Sequence, residues 1–160
     1  MDISNFIPTT DTVDVELTNP VNGEPMTNKD GSLMTITMYL PHSKKYKEVR
    51  HAQTNRRIKA SQKKGGNTIT AEEIEAETLD LLVKTTAGWN ITYKEEQPKF
   101  SEEVAKEIYE KAPFIAEQLF EGVAEAEVFT KNWSTNSWTL QSIHLISQSL
   151  IKTELPRDST

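Results

Sequence analysis

The sequence predicts a mainly α-helical α+β domain, in which an N-terminal β-hairpin is followed by a bundle of four or five helices. Three observations lead there. Two early runs alternate apolar and polar residues, Thr70 and Glu73 have the spacing of a capping box, and Ser101 and Pro113 open segments with apolar residues three and four apart.

Val13, Val15 and Leu17 alternate with Asp14 and Glu16, and Met34, Ile36, Met38 and Leu40 alternate less cleanly from Leu33 to Leu40. Each reads as a half-buried strand, so the hairpin occupies residues 12–40. Asn19-Pro20, Asn22-Gly23-Glu24-Pro25 and Lys29-Asp30-Gly31 lie between them. These residues preset turn dihedrals or tolerate positive φ, and the length of the connection leaves room for a second small turn near Asn22-Gly23.

Helices are expected over 42–131. Pro41 stops the second strand, and His42 to Lys64 has no Gly or Pro before Gly65-Gly66 ends it. Tyr46, Val49, Ala52, Ile58 and Ala60 are its thin apolar content, which predicts a long and mostly exposed helix. The next helix starts at the Thr70 cap, with Ala71, Ile74, Thr78, Leu81 and Leu82 on one stripe. Gly88 is read as its left-handed C′ residue and Trp89 as a core residue packing back on the last turn. Ser101, followed by Glu102 and Glu103, caps a short third helix that turns Val104, Ala105, Ile108 and Tyr109 inward. Pro113 suits the first turn of a fourth, striped by Ile115, Leu119, Val123 and Ala126 and widened by Phe114, Phe120 and Phe129.

Near Asn132 the composition shifts. Residues 133–160 hold ten Ser or Thr and four charges. The expected organisation is therefore one domain over 1–132 and a polar extension over 133–160. Ile143, Ile146 and Leu150 fit one short helix there, Trp138 and Leu140 fit a strand equally well, and Leu155 to Thr160 is expected to be disordered.

The net charge of −6 is a sum of opposed blocks: residues 1–40 carry −5, 41–66 carry +8, 67–132 carry −9, and 133–160 balance. The basic surface of Lys44, Lys45, Lys47, Arg50, Arg56, Arg57, Lys59, Lys63 and Lys64 reads first as a solvated face opposite the chain's own acidic stretches. The alternative is a nucleic-acid-binding accessory protein using 44–64, where Lys and Arg would release counterions on meeting phosphates. The overall acidity weighs against nucleic acid.

The 160 residues include no Cys, which excludes disulfide frameworks, thiolate catalysis and Cys-based metal sites. No apolar run approaches the roughly 20 residues of a membrane helix, and Met1 to Pro8 has no signal-peptide pattern, so no membrane partner and a cytoplasmic location are expected. Gly65-Gly66 lacks the continuation of a phosphate loop. His42, His51 and His144 are scattered. A calcium loop centred on Gly31 fails, because Met26 and Thr37 stand where carboxylates are required. The carboxylates of 72–127 read as solvated helix faces rather than an acid–base pair. No catalytic residue, cofactor or metal is predicted.

Asn19-Pro20 with Gly23-Glu24-Pro25, Asp30-Gly31 with Met34, Pro41-His42-Ser43, Asn55-Arg56-Arg57, Lys84 to Asn90, and Gln97-Pro98-Lys99-Phe100-Ser101 together resemble the tail assembly chaperones of long-tailed bacteriophages. The resemblance runs from Asp2 to Lys131 and is strongest from Leu79 to Phe129. It implies a non-enzymatic late protein of the host cytoplasm that binds the tape measure protein, assists recruitment of the tail tube protein, self-associates and is absent from the virion. A minor structural tail protein is the neighbouring possibility. The family is chiefly helical, so the hairpin is a departure, and the break near Asn132 matches either a frameshift extension or a phage-specific terminus. Phe114, Phe120, Phe129, Trp133 and Trp138 are the candidate client contacts, each weighed against a place in this domain's own core.

Overall fold

A computed structural model describes residues 2, 7–62 and 69–130, the last three by their backbone alone. The chain divides into two compact units, Met1–Thr130 and Lys131–Thr160, and all the described residues belong to the first. Its elements are β1 (Thr12–Glu16), β2 (Thr35–Tyr39), α1 (Lys44–Ser61), α2 (Ala71–Lys84), β3 (Thr86–Asn90), α3 (Glu102–Lys111) and α4 (Pro113–Thr130). Among the described residues the class is α+β, with N-terminal strands and four helices.

β1 and β2 pair antiparallel with Val13 opposite Met38 and Val15 opposite Ile36. In that register the apolar residues of both strands share one face. The long connection folds as two turns, with Gly23 N–H donating to Asn19 O and Gly31 N–H to Asn28 O. Both glycines take positive φ, 72° and 82°, where a side chain would be strained. Between the turns, Met26 donates to Leu17 O and accepts from Met34 N–H, which places it between the continuations of the two strands. The buried Asn28 locks this connection to the end of β3 and the chain just after it: its Nδ2 donates to Asn90 O at 3.3 Å and its Oδ1 accepts from Thr92 Oγ1 at 2.7 Å.

The structure corrects the expectation for Gly88. α2 ends at Lys84, with its cap at Thr85, two residues sooner than a C′ residue at Gly88 requires, because the Thr85 and Thr86 hydroxyls donate back to the carbonyls of Leu81 and Leu82 and satisfy the helix end themselves. Gly88 lies instead in β3 opposite Thr37, and β3 makes the hairpin a three-stranded antiparallel sheet in the order β1-β2-β3. Trp89 is half-buried and packs against the core cluster from β3. Its Nε1 donates to Pro98 O at 2.8 Å, and Phe100 meets it edge-on with ring centroids 5.0 Å apart.

One face of the sheet carries Val15, Leu17, Ile36 and Met38 into a core completed by Leu82, Val83, Ile91, Ala105, Ile108, Tyr109, Ile115 and Leu119. α3 starts at the Ser101 cap, and α4 follows it after Ala112 with Pro113 in its first turn. α4 runs against β1 so closely that a Cβ on Gly122 would stand 2.7 Å from both methyl groups of Val15. Tyr109 crosses the core to hydrogen-bond Thr86 Oγ1 at 2.9 Å, and burial pushes its phenol up to about 12.

Candidate interaction surface

The aromatic candidates divide. Phe114 and Phe120 are half-buried and pack against the core cluster from α4. Phe129 lies in the last turn of α4, in the part described by backbone alone, and Trp133 and Trp138 lie outside the described residues. The structure brings no two of the five together as an exposed surface among the described residues.

The basic residues are brought together, on α1. Ser43 caps this helix by accepting from Tyr46 N–H at 3.3 Å. Its first turn carries Lys44, Lys45 and Lys47 and no acidic residue, so like charges face the positive end of the helix dipole. α2 and α3 do the reverse, with Glu72 and Glu73, and Glu102 and Glu103, in their first turns. Lys44, Lys45, Arg50, Arg56, Arg57 and Lys59 are all exposed.

What attaches α1 to the domain is mostly polar. Of its 18 residues, Val49 and Gln53 are buried, with Tyr46 half-buried beside them. Gln53 Nε2 donates to Glu77 O of α2 at 2.8 Å. Arg56 meets Asp80 at 3.1 Å, and the Arg57 guanidinium grips Glu77 through two nitrogens. Partial burial acts to raise the Asp80 pKa, but hydrogen bonds from Lys84 and Arg56 outweigh it and hold the carboxyl below its ordinary value. Two of the basic candidates thus meet the chain's own acidic helix, and Lys44 reaches its neighbour Glu48, at 3.9 Å.

At the end shared by α1 and α2, apolar side chains stand in solvent: Ile58 is 48% exposed, Ile69 46% and Ile74 38%. The stripe expected along α2 is therefore only partly buried. Ala71 and Ile74 are exposed, Thr78 is half-buried, and burial is complete only at Leu81, Leu82 and Val83. The first turns of α2 have α1 as their helical neighbour, and α1 has too few apolar residues to cover them. The exposure of Ile58 agrees with the thin apolar content of its helix, whereas Ile74 stands on a stripe whose periodicity promises burial and carries no signal that the neighbouring helix cannot cover it.

A second polar cluster closes the loop after β3. Glu107 accepts from Lys94 at 3.0 Å, Lys111 at 2.7 Å and the Tyr93 hydroxyl at 3.2 Å, and these donors, led by Lys111, hold its carboxyl down to about 2. Lys94 and Glu95 form the tip of this turn at positive φ, 51° and 68°. No group of three His, Asp or Glu residues arranged to hold a metal ion occurs among the described residues. No helix among them is long and apolar enough to cross a membrane.

No protein-family model, curated protein or solved structure matches this chain.

Proposed function

We propose that this chain is a non-enzymatic phage tail assembly chaperone, and that the end of the α1–α2 hairpin is where the client docks. The resemblance of residues 2–131 supplies the client, the tape measure protein, and the associated tail tube protein. The observation that carries the docking site is an 18-residue helix that buries two side chains beside a helix that leaves Ile74 of its first turns, and Ile69 just before its cap, in solvent. An amphipathic client helix would cover these residues and Ile58, a helix-in-groove mode that requires no reactive group. Phe114 and Phe120 then act as core supports of α4 rather than as direct contacts.

Co-expression with the tape measure protein of the same phage tests the reading, by pull-down and light scattering at low and high salt. A soluble complex that survives high salt is expected, and Ile58→Asp with Ile74→Asp should abolish it without unfolding the chain. Absence of any complex would overturn the assignment. The exposed cations of α1 favour one competing outcome, retention on DNA that falls steeply with salt, which would identify a nucleic-acid-binding accessory protein.

A further inference from the structure

Among the described residues, β1 is an edge strand whose outer side is open in the middle and closed at both ends. Leu17 N–H donates to Met34 O at 3.0 Å and Leu40 N–H to Asp11 O at 2.8 Å, so the odd-numbered residues bond toward β2. By the alternation of an antiparallel ladder, the amides and carbonyls of Thr12, Asp14, Glu16 and Thr18 face outward. Gln118 of α4 fills the Thr18 rung: its Nε2 donates to Thr18 O at 2.8 Å and its Oε1 accepts from Thr18 N–H at 2.9 Å. A side-chain amide there takes the place of a neighbouring strand's peptide. At the other end, His42 Nε2 meets Thr10 O at 2.9 Å. Between these closures, the outward groups of Thr12, Asp14 and Glu16 have no hydrogen-bond partner among the described residues.

The same stretch is acidic on both of its faces. Asp11, Asp14 and Glu16 are exposed. α4 runs alongside, with Gly122 against Val15, and the exposed Glu121 and Glu125 follow Gln118 by three and seven residues, on the same side of the helix. Open edges are commonly blunted by lysine, proline or a covering segment, and here carboxylates flank the unfilled rungs.

We infer that this edge takes an extended, Lys- or Arg-rich segment of another protein as a fourth strand. Main-chain hydrogen bonds to Thr12, Asp14 and Glu16 hold it, and its side chains meet Asp14 and Glu16 on one face and Glu121 and Glu125 on the other. The charge pattern selects this occupant over a second copy of the chain. Antiparallel pairing of two β1 strands about Asp14 sets carboxylate against carboxylate, which destabilises a cross-strand pair.

Amide exchange of the full chain, followed by NMR, tests this with two peptides of equal charge. Lys-Val-Lys-Val-Lys-Val-Lys can extend as a strand, and Lys-Pro-Lys-Pro-Lys-Pro-Lys cannot join a ladder. The first should slow exchange at Asp14 and Glu16 by about tenfold or more, and the second should leave those amides unchanged. Asp14→Pro removes an outward N–H and no β1–β2 hydrogen bond, so it should weaken the valine peptide at least about tenfold. The double substitution Asp14→Lys and Glu16→Lys should do the same with the backbone intact. Equal binding of both peptides, or binding without protection, would reduce the edge to an acidic surface and overturn the inference. So would no binding, or a concentration-dependent dimer that protects these amides without peptide.

Discussion

α1 and α4 are both 18 residues long, yet they are held in place by different physics. α4 lays Ile115 and Leu119 into the core, with Phe114, Phe120 and Val123 packed around them, and approaches β1 at Gly122. α1 buries Val49 and Gln53 and otherwise depends on hydrogen bonds and ion pairs to α2. Apolar burial is worth about 25 cal/mol per Å2, whereas exposed ion pairs contribute about 0–1 kcal/mol each. The stability of the domain therefore resides in α3, α4, the last turns of α2 and the sheet, and the end of α1 beside the first turns of α2 is the part that can be altered at little cost.

The largest effect should come from removing an apolar side chain on the α4 side. Leu119 is fully buried, so Leu119→Ala should cost about 2–5 kcal/mol in urea unfolding. Ile58→Ala on α1 should change stability by no more than about 0.5 kcal/mol. Comparable losses at the two sites would erase the distinction drawn between the helices. Gly122 sharpens it further. Alanine normally favours a helix over glycine by up to about 1 kcal/mol, but here the added methyl group meets Val15 at 2.7 Å. Gly122→Ala should lose stability, by about 1–3 kcal/mol. Joined with Val15→Ala, it should lose less than the sum of the two, by about 0.5–3 kcal/mol.

On the α1 side, replacing Lys44, Lys45, Arg56 and Arg57 by Gln should leave the far-ultraviolet circular dichroism unchanged. The cost should stay within about 1 kcal/mol for each of the two inter-helix ion pairs, and it should shrink as salt is added. Loss of the fold in that variant would mean that α1 belongs to the cooperative core after all.

Much of the well-packed region was legible in the sequence because its signals are local. Thr70 and Glu73 do form a capping box, Ser101 does cap α3, and Ala105, Ile108, Tyr109, Ile115 and Leu119 are buried as their spacing predicts. β3 was not legible. Thr86-Ala87-Gly88-Trp89-Asn90 has no alternation to announce a strand, and it becomes one because β2, from a distant part of the chain, offers Thr35 and Thr37 as partners for Asn90 and Gly88. Gln53 and Gln118 were missed for a related reason. A glutamine in a helix reads as solvated surface, and only the tertiary arrangement shows that each bonds a backbone group on another element. Ile74 reverses the case: its place on the α2 stripe promises burial, and the neighbouring helix cannot supply it.

The smallest expected effect lies at Glu107, where polar ties hold a backbone shape rather than a helix. Lys94 and Glu95 occupy the left-handed region, which residues other than glycine adopt at a cost, and Lys94 and Tyr93 are both tied to Glu107. The carboxyl is lowered from the ordinary 4.5 to about 2 by Lys111 first, then Lys94 and Tyr93. A lowered pKa in the folded state means that the associated stability is present above about pH 4.5 and is lost as pH falls toward 2. Glu107→Gln should therefore differ from the unaltered chain most at neutral pH and converge with it in acid. Carbon NMR of the Glu107 carboxyl should show it ionised until close to pH 2. A midpoint near 4.5 would mean that water, rather than these three donors, solvates the carboxylate, and the turn would then have to be held by its hydrogen bonds between Tyr93 and Glu96 alone.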